Sequence, residues 1–255
     1  MSILNSFSLK GKVALVTGVG RGLGHGIATA LAEAGADIAG LYLNNYLETE
    51  TAVTNLNRRF LPIQANLETA TPDDLNQLIA RIQNELGQLD ILVNNAGIIR
   101  RAPAVEYSAA DWNTVIQVNL NALFYLSQAA GRVMLAQGSG KIINIASMLS
   151  FQGGIRVPAY TAAKSAVAGL TKALANEWAA SGVNVNAIAP GYMATDNTAP
   201  LRADEKRNQA ILERIPAKRW GTPEDLGGIT VFLASAASNY LHGAIIPVDG
   251  GWLAR

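Results

Sequence analysis

The chain of 255 residues contains no cysteine and only two histidines, His25 and His242. The first absence excludes disulfides, thiolate catalysis and thiolate-held metal. The second leaves too few imidazoles for a histidine-built metal centre, so no metal site is expected. Charge of either sign is scarce: 20 Lys and Arg stand against 19 Asp and Glu, a net charge of +1. No clustered basic face of the kind that binds nucleic acid follows from that balance. No stretch approaches the ~18 apolar residues of a membrane span. The opening residues also lack the charged segment and long apolar stretch of a secretory signal. A cytoplasmic protein with neither a nucleic-acid nor a membrane partner is expected. What the chain has is apolar bulk, 49% hydrophobic against 15% charged residues, the composition of one that buries a sizeable core.

Short β-branched apolar runs alternate with amphipathic or Ala-rich stretches along the whole length. The runs at 13–16, 38–43, 60–64, 91–93, 141–145, 183–188 and 245–248 read as strands. The stretches near 23–34, 49–57, 72–86, 111–137, 159–180 and 223–234 read as helices. Strict strand–helix alternation implies parallel pairing through right-handed crossovers, with helices on both faces. The expected fold is α/β, a Rossmann-type doubly wound sheet of seven parallel strands. No linker or repeat divides the chain, so 1–255 reads as one domain. The irregular segment from about 190 to 220 reads as a lid over a site.

The first strand ends in Thr17-Gly-Val-Gly-Arg-Gly-Leu-Gly24 and runs into a helix. Gly18, Gly22 and Gly24 allow a tight turn and a close approach of backbone to a pyrophosphate at the helix N-terminus, beside Leu23. A glycine loop alone is as often structural; its place after the first strand of an alternating chain points to a dinucleotide. At the end of the second strand a carboxylate would bind the ribose 2′-hydroxyl of NAD, and an arginine the 2′-phosphate of NADP. Here Tyr42-Leu-Asn-Asn45 supplies neither. Arg21, inside the loop, could still reach a 2′-phosphate, or simply be a solvated loop residue. The balance favours NAD, with NADP not excluded.

Tyr160-Thr-Ala-Ala-Lys164 opens a long helix after Pro158, and a four-residue step puts both side chains on one face. A free phenol titrates near ~10, and a neighbouring ammonium favours the phenolate, so the pair suits a proton donor and acceptor. Tyr-x-x-x-Lys by itself is common. Its context is not: Ser147 stands thirteen residues upstream, just past the strand at 141–145, where ligands bind open α/β sheets. Asn119, within the helix expected at 111–137, alone reads as an ordinary helical polar residue.

Together these residues resemble the short-chain dehydrogenase/reductase family, in its single-domain branch. The matches are Thr17-Gly-x-x-x-Gly-x-Gly24, Asn94-Asn-Ala-Gly97, Asn119, Ser147, Tyr160-x-x-x-Lys164 and Pro190-Gly191, in the family's order and spacing from about 9 to 255. The resemblance implies an enzyme that moves a hydride between a nicotinamide cofactor and an alcohol or ketone carbon. It makes Tyr160 the general acid/base, Ser147 the group that orients the substrate oxygen, and Lys164 the residue that binds the nicotinamide ribose. Asn119 would hold a water leading from Lys164 to solvent. Asn95, Ala96 and Gly97 would line the cofactor cleft, and Pro190, Gly191, Met193 and Thr195 would border the nicotinamide. Asn66, beside Leu67, stands where the family usually has Asp near the adenine. The resemblance also implies a homotetramer in which the C-terminal end, with Trp252, packs against another subunit.

The stretches 142–158, 189–195, 214–221 and 248–255 are similar to a subgroup of sugar-acid dehydrogenases acting on 2-keto-3-deoxygluconate or 2-deoxygluconate. A sugar acid needs a cation for its carboxylate, and arginine's planar fork suits that task. Arg156, between Ser147 and Tyr160, and Arg100, on the same rim as Arg101, are the candidates, with Gln152 for a hydroxyl. Salt bridges across subunits are the alternative for these arginines. Trp112, Phe124 and Trp178, at helical spacing, read as core or interface packing. Three other readings compete: an NADPH-dependent 3-ketoacyl thioester reductase, compatible with Arg21 but opposed by Leu43; an extended-branch epimerase or dehydratase, which would need a further substrate domain; and a non-catalytic cofactor-sensing protein, which would not need Asn119, Ser147, Tyr160 and Lys164 together.

Overall fold

Residues 2–255 are described by a computed structural model. Seven strands form one parallel sheet: β1 (Val13–Thr17), β2 (Asp37–Tyr42), β3 (Phe60–Gln64), β4 (Ile91–Asn94), β5 (Gly140–Ile145), β6 (Val183–Pro190) and β7 (Ile245–Val248). Their order is β3-β2-β1-β4-β5-β6-β7. Chain direction across the sheet reverses between β1 and β4, and a doubly wound sheet opens a crevice at that point. Every residue of β1, β4 and β6 is buried, as expected for strands covered on both faces. Of the three strand prolines, Pro62 and Pro247 sit on the edge strands β3 and β7, and Pro190 is the last residue of β6, positions where a missing N–H costs the ladder least.

Helices α1 (Gly22–Glu33), α2 (Leu47–Asn55) and α9 (Gly227–Ala234) accompany α3 (Pro72–Leu86), α4 (Ala109–Ile116), α5 (Ala122–Gln137) and α6 (Pro158–Trp178). One core packs α3 and α5 against the sheet through Leu75, Ile79, Ile82, Leu126 and Met134. The other packs α1 and α9 through Ile27, Leu31 and Leu233. Helix α3 runs over the residues the periodicity predicts because both ends are fixed locally. Thr71 and Asp74 close a capping box, Pro72 opens the first turn, and Gly87 ends it at φ 92°.

Two helices differ from expectation. The single helix expected at 111–137 is three pieces: α4, a π-helical turn at Gln117–Asn121, and α5. An extra residue in the turn rotates the following face without altering the apolar pattern enough to be read. The helix expected at 223–234 begins as a 3-10 turn over Pro223–Leu226. Trp178 is core, packed on Gly131 of α5 so closely that a β-carbon there would meet its ring at 2.8 Å. Trp112 is 41% exposed, so it packs in no core of the single chain. The segment after β6 folds as α7 (Ala199–Ala203) and α8 (Glu205–Arg214), a helical pair linked by irregular backbone.

Candidate active site

The crevice at the switch point begins with the glycine loop. Gly18 sits at φ 74°, which a side chain would strain, and its N–H and that of Val19 both bond the carbonyl of Leu41 on β2. A β-carbon on Gly24 would run into the Gly18 carbonyl oxygen, so loop and helix can touch only as glycines. Arg21 precedes α1 in extended backbone and offers no side-chain cap, which leaves the first N–H groups of the helix free to face the crevice. The turn after β4 is tied to β1 by Thr17, whose hydroxyl accepts from the N–H groups of Asn95 and Ala96, each at 2.9 Å. Beneath it, Asn94 Nδ2 donates to Ser127 and to Asn144, which in turn donates to Thr171. That buried chain holds the middle of the sheet, and only Asn94 had been singled out in the sequence.

The other expected cofactor residues follow the C-terminal ends of β3 and β6. Asn66 Oδ1 caps a local turn by accepting from Glu68 N–H at 3.0 Å, and Leu67 is buried in the core beside it. Pro190 ends β6, and Gly191 N–H bonds Val248 at 2.9 Å. Met193 is buried against Gly221. Thr195 comes so near the glycine loop that a β-carbon on Gly22 would lie 3.5 Å from its methyl group. Arg21 reaches across to the same turn, with Nη1 2.9 Å from Asp196 Oδ2.

Ser147 leaves the end of β5 and starts a 3-10 turn, its Oγ accepting from Leu149 N–H at 3.1 Å. Ser150 and Ser165 stitch this turn to α6, bonding the carbonyls of Lys164 (2.6 Å) and Leu149 (3.2 Å). Neither serine carried a signal in the sequence. Tyr160 lies in the first turn of α6, and Lys164 one turn on is buried with Nζ 5.6 Å from the Tyr160 ring centre. The Nζ donates to the carbonyl of Ile145, the last residue of β5, at 2.5 Å. Burial pushes the Lys164 pKa down to about 8. Burial also pushes the Tyr160 phenol up, opposed by the Ser147 hydroxyl and by the charge of Arg101. The ammonium was expected to lower the phenol's pKa. The ammonium is engaged by the Ile145 carbonyl, and desolvation outweighs what the remaining neighbours contribute.

Asn119 is fully buried in the π-helical turn, and its amide clasps Ile98 both ways, accepting from N–H and donating to C=O at 2.8 Å each. Its side chain is thus spent on the loop after β4. The π turn, which leaves a backbone carbonyl without its usual helix partner, is the part of the arrangement the sequence did not signal.

On the outer rim, Arg100 is paired with Asp111 at 3.5 Å, within the chain. Arg101, next to it, carries no ion pair among the described residues, and neither does Arg156. Arg156 stands at φ 63°, and its carbonyl accepts from Ala102 N–H at 3.1 Å, which ties the 100–102 segment to the mouth of the site. Gln152 Oε1 receives Arg214 of α8 at 3.4 Å, and that guanidinium lies 3.9 Å over the Trp252 ring. Trp252 joins Met148, Ile211 and Ile215 in a small buried cluster with Tyr192 packed against it. The C-terminal end therefore holds α8 onto the Ser147 turn within one chain. Arg214 and Trp252 complete this wall, a contact across 38 residues that no local pattern announces.

A family model described as enoyl-(acyl carrier protein) reductase matches residues 18–253. The chain belongs to the short-chain dehydrogenase/reductase family. As a short-chain dehydrogenase/reductase it is an NAD(P)-dependent oxidoreductase. It is 59% identical over 254 residues to the 2-dehydro-3-deoxy-D-gluconate 5-dehydrogenase of Escherichia coli (strain K12), covering 99% of this chain and 100% of that one. The enzyme of the same name from Bacillus subtilis (strain 168) is 59% identical over 252 residues, 98% of each. A solved gluconate 5-dehydrogenase from Burkholderia cenocepacia, in complex with NADP and tartrate, superposes with a TM-score of 0.94 at 37% identity over the full length of both chains. An Agrobacterium tumefaciens structure with bound NADP superposes with a TM-score of 0.92 at 56% identity, covering 98% of this chain and 100% of that one. Among the described residues no helix is long and apolar enough to cross a membrane.

Proposed function

We propose that this short-chain dehydrogenase/reductase interconverts a secondary alcohol and a ketone on a sugar acid, 2-dehydro-3-deoxygluconate (2-keto-3-deoxygluconate) or 2-deoxygluconate. The observation that carries the reading is the convergence of Ser147, Tyr160 and Lys164 at the C-terminal end of β5, with Arg101 close enough to act on the phenol. The names of the relatives at 59% identity support the substrate class. The crevice fits a nicotinamide dinucleotide: the uncapped N-terminus of α1 faces a loop where side chains would collide. That cofactor, when bound, accepts or supplies the hydride.

The chain's own residues handle the proton and the substrate's position. Tyr160 gives its proton to the carbonyl oxygen in reduction and takes one from the hydroxyl in oxidation, while Ser147 donates a hydrogen bond to the same oxygen. Lys164 holds the ribose and lends its charge to the phenolate once a hydroxyl competes for its Nζ. Asn119 fixes the loop at Ile98, and the carbonyl freed in its π turn offers the water site. Arg101 and Arg156 meet the carboxylate, Gln152 and Arg214 a hydroxyl, and the α7–α8 segment acts as the lid of a one-domain catalyst. Arg100 is held by Asp111 and takes the smaller part. The absence of a carboxylate at the end of β2 admits either cofactor, with NAD preferred while Arg21 stays paired to Asp196. Bound NADP in the Agrobacterium and Burkholderia structures is compatible with that tolerance. A soluble, cytoplasmic homotetramer is the assembly in which we expect this to operate.

The test is absorbance at 340 nm with both sugar acids, NAD and NADP supplied separately, beside an acetoacetyl thioester with NADPH. Reduction of cofactor by a sugar acid is expected. Silence with both acids, alongside thioester reduction, would overturn the assignment in favour of the ketoacyl reductase.

A further inference from the structure

Arg21 is the one arginine or lysine in the glycine loop (17–24) and in the turn after β2 (42–46). The residue before it, Gly20, rests so closely on the Asn45 carbonyl that a β-carbon would collide. The loop thus touches the turn at the end of β2, where the adenosine ribose of a dinucleotide lies in folds of this kind. Arg21 stands between that ribose position and the first turn of the lid. It is committed to the lid: its guanidinium meets the Asp196 carboxylate at 2.9 Å, across 175 residues of chain. Asp196 is held in place from behind, because Thr195 and Thr198 close a capping box around it and Arg202 bonds the Thr195 carbonyl at 3.1 Å.

We propose that Asp196 is a cofactor-selectivity residue, holding Arg21 against the lid and so withholding it from a 2′-phosphate. The inference rests on reading the crevice as the NAD(P) site. A 2′-hydroxyl asks nothing of Arg21, so the pair to Asp196 persists when NAD binds. A 2′-phosphate needs the guanidinium, and it must draw Arg21 away from Asp196 or share it with a second anion. The penalty on NADP that a carboxylate at the end of β2 would impose directly is here imposed from the lid. It is a mild one: the two side chains are 73% and 70% exposed, and exposed pairs are screened by solvent and salt. The same exposure lets the phosphate win at sufficient concentration, so the device biases the choice without closing it. It also couples the choice to the lid, since NADP would release the first lid turn from the glycine loop.

The experiment is a titration of the full-length protein with NADH and with NADPH, followed by cofactor fluorescence without any substrate. It compares wild type, Asp196→Asn, Arg21→Ala and the double variant at low and high salt. Asp196→Asn is expected to tighten NADPH about two- to fivefold and to leave NADH within about 1.5-fold, the size of one exposed pair. The gain should shrink in high salt and vanish in the Arg21→Ala background. Equal tightening of both cofactors, no change for NADPH, or a gain that survives without Arg21 would overturn the proposal while leaving the cofactor site intact. Failure of wild type to bind either cofactor would overturn it together with the reading of the crevice.

Discussion

A buried or half-buried lysine stands at each end of strand β5, and both are pushed down to about 8. Lys141 is at the N-terminal end, where burial and the charge of Lys12 lower it. Its Nζ donates to Asn184 Oδ1 at 2.9 Å and Asn239 Oδ1 at 2.7 Å. Lys164 reaches the C-terminal end from α6, lowered by burial alone, with one backbone oxygen and the Tyr160 ring as neighbours. The same shift thus has two meanings. At one end the ammonium is tied down by amides that exchange no proton; at the other it sits beside a group that can. A perturbed pKa marks a candidate, and the neighbour decides what it is for. The rest of each edge agrees. Asp90 pairs with Lys12 and Asp37 with Arg59 at the N-terminal ends of the strands. At the C-terminal ends Arg101 and Arg156 carry no ion pair among the described residues, as a substrate carboxylate would require.

The contrast can be broken most easily at Tyr160. Tyr160→Phe keeps the ring and removes the proton, and should lower kcat at least about a thousandfold, with cofactor affinity preserved. A residual rate within tenfold of wild type would remove Tyr160 from its assigned role. Lys164→Met should follow with a loss of about a hundredfold. The matching change at the other end, Lys141→Met, should leave kcat within about twofold and instead cost about 1 kcal/mol of stability, because the buried Asn184 oxygen loses its donor. That difference has a pH signature. Each lysine has a folded pKa of about 8 against the ordinary 10.5, so the unfolded chain holds more protons between those values. Stability from this source therefore rises with pH across that window. Denaturant melts at pH 8 and 10 should find a shallower rise in Lys141→Met than in wild type; parallel lines would refute the burial of Lys141 as the cause. The smallest effect is on the rim. Arg101→Ala should raise KM for the sugar acid about tenfold while Arg100→Ala, already engaged by Asp111, changes it little. The reverse ranking would return the carboxylate to Arg100.

Much of this fold was legible because strands buried on both faces leave unbroken β-branched runs, and because α3 carries its own cap at Thr71 and stop at Gly87. The π turn at Gln117–Asn121 was not, since one added residue in an apolar helix leaves no mark in composition or period. The motif residues of the site were legible as a set. Their partners were not: Arg21 with Asp196, Gln152 with Arg214 and Asn119 with Ile98 are tertiary contacts between segments that nothing local connects. The direction of the Tyr160 shift was missed for the same reason. A helical spacing reports that Lys164 is near, and only the packed structure reports that its Nζ faces the Ile145 carbonyl.

The most direct test of the account is the pH profile of kcat for sugar-acid oxidation, which reports ionisations in the loaded enzyme. Burial holds the phenol up, whereas the positive nicotinamide and a Lys164 turned to the ribose would both favour the phenolate. The account predicts a kcat that rises with pH to a plateau, with an apparent ionisation below that of a free phenol that moves upward in Lys164→Met and disappears from the residual rate of Tyr160→Phe. An ionisation that persists in Tyr160→Phe, or stays fixed when Lys164 is removed, would contradict it.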